Sequence, residues 1–150
     1  MGIFSNLFRK KQVHEFKNIE NDTQHYPKMK KGEILPAGEM KLKYNLTIEN
    51  YKPRPLNPIN VPEQLRDLVF LAQKWGIGDD IIRNDLHHKV SDEDKQTLKA
   101  ALNGRIQTIS QWLDSFGSGK MTEEAASFMY MLEGLDEMGI QVDLGPEFQK

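Results

Sequence analysis

The sequence predicts a mainly α-helical protein: a compact antiparallel bundle of four or five helices with a small β-containing appendage at its N-terminus. Apolar residues recur at helical spacing from position 60 to about position 138, whereas residues 40–48 alternate between apolar and polar types. A proline-rich stretch separates the two patterns. Short connections between amphipathic helices favour antiparallel packing.

The two halves carry opposite net charge. Residues 1–55 have a balance of +5, and residues 56–150 have a balance of −7. Pro53, Pro55 and Pro58 lie at the change and indicate a stiff extended linker. We therefore predict a basic appendage, 1–55, and an acidic helical domain, 56–150. The opposite charges suggest that the parts dock on each other or bind different partners.

Composition narrows the functional classes. The 150 residues include no cysteine, which excludes a disulfide framework and a thiolate metal site and fits a cytoplasmic protein. No apolar run approaches the roughly 20 residues of a membrane span. The acidic domain is a poor nucleic-acid platform, because phosphate binding needs clustered positive charge.

The N-terminal residues 3–11 combine a short apolar cluster with Arg9, Lys10 and Lys11. The favoured interpretation is a terminus that docks on something apolar. The alternative is a contact with anionic headgroups of a membrane surface.

Residues 40–48 predict a half-buried strand, with Leu42 and Tyr44 among its apolar positions. A strand needs a hydrogen-bonding partner. The candidates are residues 13–19, residues 140–144 and the same strand in a second copy of the chain.

The first helix is predicted from a cap at Asn60, with Glu63 at capping-box spacing, to Trp75. A helical corner follows, whose sequence is Trp-Gly-Ile-Gly-Asp-Asp-Ile-Ile-Arg. We expect Gly76 in the left-handed conformation past the helix end and Asp79 or Asp80 as the next cap.

Further along the chain, Ser91 and Thr122 are predicted N-caps and Gly139 a helix end. The apolar stripe between Ser91 and Gly117 continues across Asn103-Gly104. It predicts one kinked helix or two nearly coaxial ones.

The segment 60–139 resembles uncharacterised small bacterial all-helical proteins that carry a Trp-Gly-Ile-Gly-Asp-Asp corner and a later Trp-Leu-Asp-Ser-Phe stretch, here residues 112–116. Some of these proteins look like immunity or interaction proteins. The resemblance implies no activity and supplies no site residues.

Two helical pairs could offer ligands to one metal ion. Asp85 and His88 are three residues apart, as are Glu133 and Asp136, so each pair shares a helix face. Such a site would suit Mg²⁺ or Mn²⁺. The Glu-x-x-Asp at 133–136 resembles half of the paired motif of all-alpha nucleotide pyrophosphatases, but the other half is absent. Ordinary solvated acidic faces are the favoured interpretation, so we expect no cofactor.

Residues 128–132 are apolar around almost the whole helix, which predicts burial on two sides. The second side could be another subunit, because both this girdle and a lone strand would be covered in a homodimer. We therefore predict Phe128, Met131, Leu132, Leu42 and Tyr44 as interface residues.

The functional prediction is a non-catalytic protein-interaction role, such as that of an immunity or regulatory binding protein. The alternative is a metal-dependent hydrolase of nucleotides or other phosphorylated substrates. No phosphate loop, nucleophile elbow or His-Glu-x-x-His motif is present.

Overall fold

A computed structural model describes residues 37–145. Within this range the protein is mainly helical, as predicted, and contains no strand. The α-helices are α1 (Ala37–Tyr44), α2 (Val69–Trp75), α3 (Asp80–Lys89), α4 (Asp92–Leu102), α5 (Ile106–Asp114) and α6 (Glu123–Met138). Short 3-10 helices lie at Ile48–Asn50, Pro58–Asn60 and Glu63–Leu68. No helix of this range has the length and apolar character needed to cross a bilayer.

The strand predicted at 40–48 is wrong, because most of it is helix α1. Met40 and Tyr44 are four residues apart and share one side of the helix, where Met40 is buried and Tyr44 half-buried. Leu42 is 82% exposed, so the alternation does not describe two faces of a strand. Asn45, with φ 54°, ends the helix, and Leu46 N donates to Lys41 O across this left-handed turn.

Helix α6 is the central element of the bundle and packs against α2, α3 and α5. Phe128, Met131 and Leu132 are each fully buried within the single chain. The prediction of burial on two sides is confirmed, but the chain's own helices provide the cover. The interface predicted at these three residues stays a prediction.

Side-chain caps fix several helix ends as predicted. Asp79 accepts from Ile82 N, Ser91 accepts from Asp94 N, and Thr122 accepts from Ala125 N. Gly139, with φ 68°, ends α6 in the left-handed conformation. These caps set where α3, α4 and α6 begin, and so where their buried faces point.

The first predicted helix differs from the structure. Asn60 does not cap it, since its side-chain amide donates to Glu124 Oε1 on α6. Instead the chain passes through the 3-10 helix Glu63–Leu68 before α2 begins. The tighter winding lets both Leu65 and Leu68 reach the core.

The stripe across Asn103-Gly104 belongs to two helices, α4 and α5. Gly104, with φ 78°, lies at the break and donates its N–H to Asp143 O at 2.7 Å. Gln107 N donates to Leu144 O at 2.9 Å. Residues 140–144, a predicted strand candidate, therefore form an extended segment that satisfies the backbone at the helix break.

The described part of the predicted appendage packs on the helical part. Met40 and Leu46 belong to the same apolar core as the bundle, and Leu46 is 1% exposed. We call residues 37–51 the strap. They comprise α1, the turn after it and the 3-10 helix Ile48–Asn50. The expectations for residues 3–11 and 13–19 lie outside the described residues.

Candidate functional site

The corner, residues 75–83, joins α2 to α3. Gly76 has φ −88°, so the predicted left-handed conformation is wrong. A Cβ at this position would lie 2.0 Å from Ser127 O of the α6 backbone. The sequence requires glycine here because the corner lies directly against the central helix.

Asp79, and not Asp80, caps α3. Asp79 Oδ1 accepts from Ile82 N at 2.9 Å, whereas Oδ2 is buried without a hydrogen-bond partner. Burial raises the pKa of Asp79 from its ordinary value of 3.8 to about 6. Asp80 is exposed.

Arg83 anchors the corner to α6 from a fully buried position. It donates to Ile77 O at 2.7 Å, to Glu133 at 3.1 Å and to both carboxylate oxygens of Glu137, at 2.9 and 2.8 Å. Its guanidinium also lies over the Tyr130 ring. A buried arginine is tolerated only when its donors are satisfied, as they are here by carboxylates and a backbone carbonyl.

Sequence reasoning missed this cluster. A signal was available: Glu133 and Glu137 are four residues apart and therefore share one face of α6. In a helix that is otherwise apolar at this level, such a pair indicates a buried cation on a neighbouring element. The arginine at the end of the corner is that cation.

Asp85 forms a second charged cluster, on the side of α3 that faces the strap. Its side chain is 2% exposed. Lys41 Nζ donates to Oδ1 at 2.5 Å, while Ile48 N and Lys89 Nζ reach Oδ2 at 2.9 and 2.8 Å. Burial alone would raise the pKa of Asp85, but these hydrogen bonds hold the pKa well below its ordinary range.

The two adjacent histidines have different surroundings. His87 is buried beside Trp75, and its Nδ1 lies 3.7 Å from Glu137 Oε1. Burial lowers the pKa of His87, so its ring is neutral near pH 7. His88 is exposed, with Nδ1 2.9 Å from Asn84 O. One of the two histidines therefore lies at the core edge and the other faces solvent.

The structure does not gather the predicted metal ligands into one group. Asp85 is held by two lysines, and Glu133 is held by Arg83. His88 and Asp136 are exposed. Among residues 37–145, no three His, Asp or Glu side chains are placed to hold a metal ion.

Two large apolar side chains that sequence reasoning did not select lie on the surface. Phe70 is 67% exposed and Ile59 is 74% exposed, and together we call them the apolar patch. Phe70 lies off the apolar stripe formed by Leu65, Leu68, Leu71, Ala72 and Trp75. The sequence could have indicated this exposed residue, because Phe70 is aromatic and lies outside the apolar stripe that enters the core.

Hydrogen bonds hold the patch together. Gln73 Oε1 accepts from Leu56 N at 3.3 Å, and the Arg66 side chain donates to Pro58 O and Val61 O, both at 2.9 Å. Arg66, Phe70 and Gln73 share a side of their helical segment. Residues 56–61 are therefore held against the same helical segment that carries Phe70.

In comparisons with known proteins, no family model, curated protein or solved structure matches this chain.

Proposed function

We propose that this chain is a non-catalytic protein-binding protein, such as an immunity or regulatory binding protein, and that the apolar patch is its contact surface. The observation that supports this proposal is the exposure of Phe70, an aromatic side chain 67% open to solvent on a helix whose other side enters the core. Aromatic residues of this kind are the usual energetic anchors of protein interfaces.

The frame of the patch favours binding. Residues 56–61 are fixed to α2 and its preceding 3-10 helix by Gln73 and Arg66. Asn57 N and the Asn60 amide additionally donate to the Glu124 carboxylate on α6, at 2.8 and 3.2 Å. Because Phe70 is surrounded by a fixed backbone, this surface loses little conformational freedom on binding. More of the free energy of burying Phe70 therefore appears as affinity.

The rim of the patch suits a protein partner. Asp67 is paired with Arg105, and Lys74 is paired with Asp94. This alternation of signs gives no continuous positive surface for phosphates, and the acidic balance of residues 56–150 opposes nucleic acid. A protein partner with an apolar pocket and a mixed polar border fits the surface.

A quantitative pull-down from the cells of origin tests the proposal with three baits: the parent, Phe70→Asp, and Leu144→Asp as the matched control. Leu144 is likewise a large apolar side chain exposed to solvent, at 50%. A partner retained by the parent and Leu144→Asp and lost with Phe70→Asp supports the proposal. An unchanged set of proteins with Phe70→Asp contradicts it.

The hydrolase alternative has its own readout. The same preparations are assayed for phosphate release from nucleotides in Mg²⁺ and Mn²⁺. Turnover that Glu133→Gln abolishes while the fold is kept would replace the binding proposal with the catalytic one.

A further inference from the structure

The strap covers one face of α3 with chemistry that a partner could also supply. Lys41 Nζ and Ile48 N of the strap donate hydrogen bonds to the Asp85 carboxylate of α3, and Glu49 pairs with Lys89 at 2.7 Å. Met40 and Leu46 place apolar side chains in the core beside these contacts. The face therefore receives one cation, one anion, one backbone donor and two apolar side chains from a segment of fifteen residues.

The strap has little regular structure of its own to stabilise it once it is separated from the bundle. Helix α1 has eight residues, too few to be stable alone in water. The two lysines that bind the buried Asp85 are themselves partly open to solvent, with side chains 39% (Lys41) and 42% (Lys89) exposed. Once the strap lifts, water can reach both Lys41 and Asp85 and take the place of their contact.

The bundle beneath the strap is held by other contacts. The central helix α6 is buried by α2, α3 and α5, and Arg83 joins α3 to α6. None of these contacts involves residues 37–51. These contacts remain when the strap leaves, and Asp85 keeps Lys89 as a partner, while Met40 and Leu46 withdraw from the core and uncover apolar surface that a partner's side chains could fill.

We propose that the face of α3 beneath the strap is a second protein-binding surface, and that the strap occupies it as a built-in substitute for a partner segment in which one cationic side chain lies between apolar residues. This surface is separate from the apolar patch. Lys41 neutralises Asp85, the acidic centre of this face, while the strap as a whole carries two lysines and two glutamates, so complementarity rests on this one pair and on the apolar side chains beside it. A partner segment that carries a lysine or arginine between apolar residues competes with the strap for the same contacts.

Hydrogen exchange on the parent chain tests whether the strap opens separately. We expect the amides of Leu46 and Ile48, both hydrogen-bonded in the closed form, to exchange about 100-fold faster than amides in the middle of α6. Equal exchange rates in the two segments would overturn the proposal, since the strap would then open only when the whole domain unfolds.

Competition in full-length chains tests the surface itself. The probe is a fluorescent peptide of residues 37–51, and binding is measured by anisotropy. Lys41→Glu places a like charge against Asp85 and should open the strap, so the peptide should bind this variant about ten-fold more tightly than the parent. Lys43→Glu is the matched control, because it makes the same charge change at an exposed position of α1.

A peptide that itself carries Lys41→Glu should bind none of these chains. Equal binding of the unmodified peptide to Lys41→Glu, Lys43→Glu and the parent would contradict the proposal. If Lys41→Glu unfolds, as judged by circular dichroism, Lys41→Gln replaces it, and the same ranking is expected with a smaller ratio. Adding Phe70→Asp should leave peptide binding unchanged, so this result and the result for the apolar patch are distinguishable.

Discussion

Asp79 and Asp85 are both buried at helix α3, yet their carboxyl groups have opposite electrostatic behaviour. At the corner, Asp79 has one oxygen without a donor, and burial raises its pKa to about 6. Beneath the strap, Asp85 receives two lysines and a backbone N–H, and its pKa is lowered. Asp85 accepts from two cationic side chains and a backbone N–H, whereas Asp79 accepts from one backbone N–H, and this difference favours the charged form of Asp85.

The two regions also differ in what surrounds them. The corner lies against the central helix and is closed by backbone contact at Gly76 and by the buried Arg83. The strap lies at the edge, and its lysines are partly in water. We therefore expect damage at the corner to unfold the whole domain and damage at the strap to act locally.

Gly76→Ala should have the largest effect. The added methyl group meets the Ser127 carbonyl, which is backbone and cannot rotate away, so α2 and α6 must separate. A loss of about 3 kcal/mol is expected from such overpacking. Chemical denaturation measures it, with Gly38→Ala as the control, since a Cβ at Gly38 meets nothing within 4 Å. Equal stability of parent and Gly76→Ala would contradict the close packing of the corner.

Asp85→Asn should have the next largest effect, and a local one. The amide loses the charge that holds both lysines and should weaken strap closure by about 2 kcal/mol. Exchange should accelerate at Leu46 and Ile48 but not in α6. Asp114→Asn, at an exposed position, is the control. Acceleration spread evenly over α6 would show that the strap and the bundle form one cooperative unit.

Asp79→Asn should stabilise the domain at high pH. Because the folded pKa of Asp79 is raised, its contribution to stability is full below 3.8 and is lost as the pH rises through about 6. Asparagine caps helices equally well and has no charge to bury, although its amide is a weaker acceptor for Ile82 N. The expected net gain at pH 8 is on the order of 1 kcal/mol, or about 4 °C in Tm, and it should vanish near pH 4.

The pH dependence of the parent combines the two carboxyl groups. Asp85 has a lowered folded pKa, so its contribution is present above 3.8 and disappears only at more acidic pH. Between pH 3.8 and about 6, Asp79 is largely protonated in the folded protein and Asp85 is charged. Asp80→Asn is the control for Asp79→Asn, and a pH-independent gain from Asp79→Asn would contradict the raised pKa.

The sequence predicted well what depends on local chemistry. The caps at Ser91 and Thr122 and the end at Gly139 follow from side-chain acceptors and backbone conformation within a few residues. The sequence did not predict helix α1. The same residues are compatible with a strand, through the alternation at 40–48, and with a helix, through the i, i+4 pair Met40 and Tyr44.

The site depended on contacts between distant segments. Lys41 and Asp85, or Arg83 and Glu133, are pairs that spacing along one helix cannot identify. Gly76 was selected for a backbone conformation, whereas its true requirement is the approach of α6. The homodimer prediction loses both of its grounds, since the strand is a helix and residues 128–132 are covered within the chain; the oligomeric state itself stays a prediction.

Added metal should have the smallest effect on stability. This test concerns both regions, because the predicted ligands come from both. Of the four predicted ligands, Asp85 belongs to the strap cluster and Glu133 to the corner cluster, each already bound to cationic side chains. An ion would have to displace Lys41 and Lys89 from one carboxylate and Arg83 from the other. We therefore expect Mg²⁺ or Mn²⁺ to leave Tm unchanged, because only binding to the folded state raises it. A rise in Tm that Asp136→Ala removes while Asp114→Asn keeps it would show that the two clusters rearrange around an ion, and would revive the hydrolase alternative.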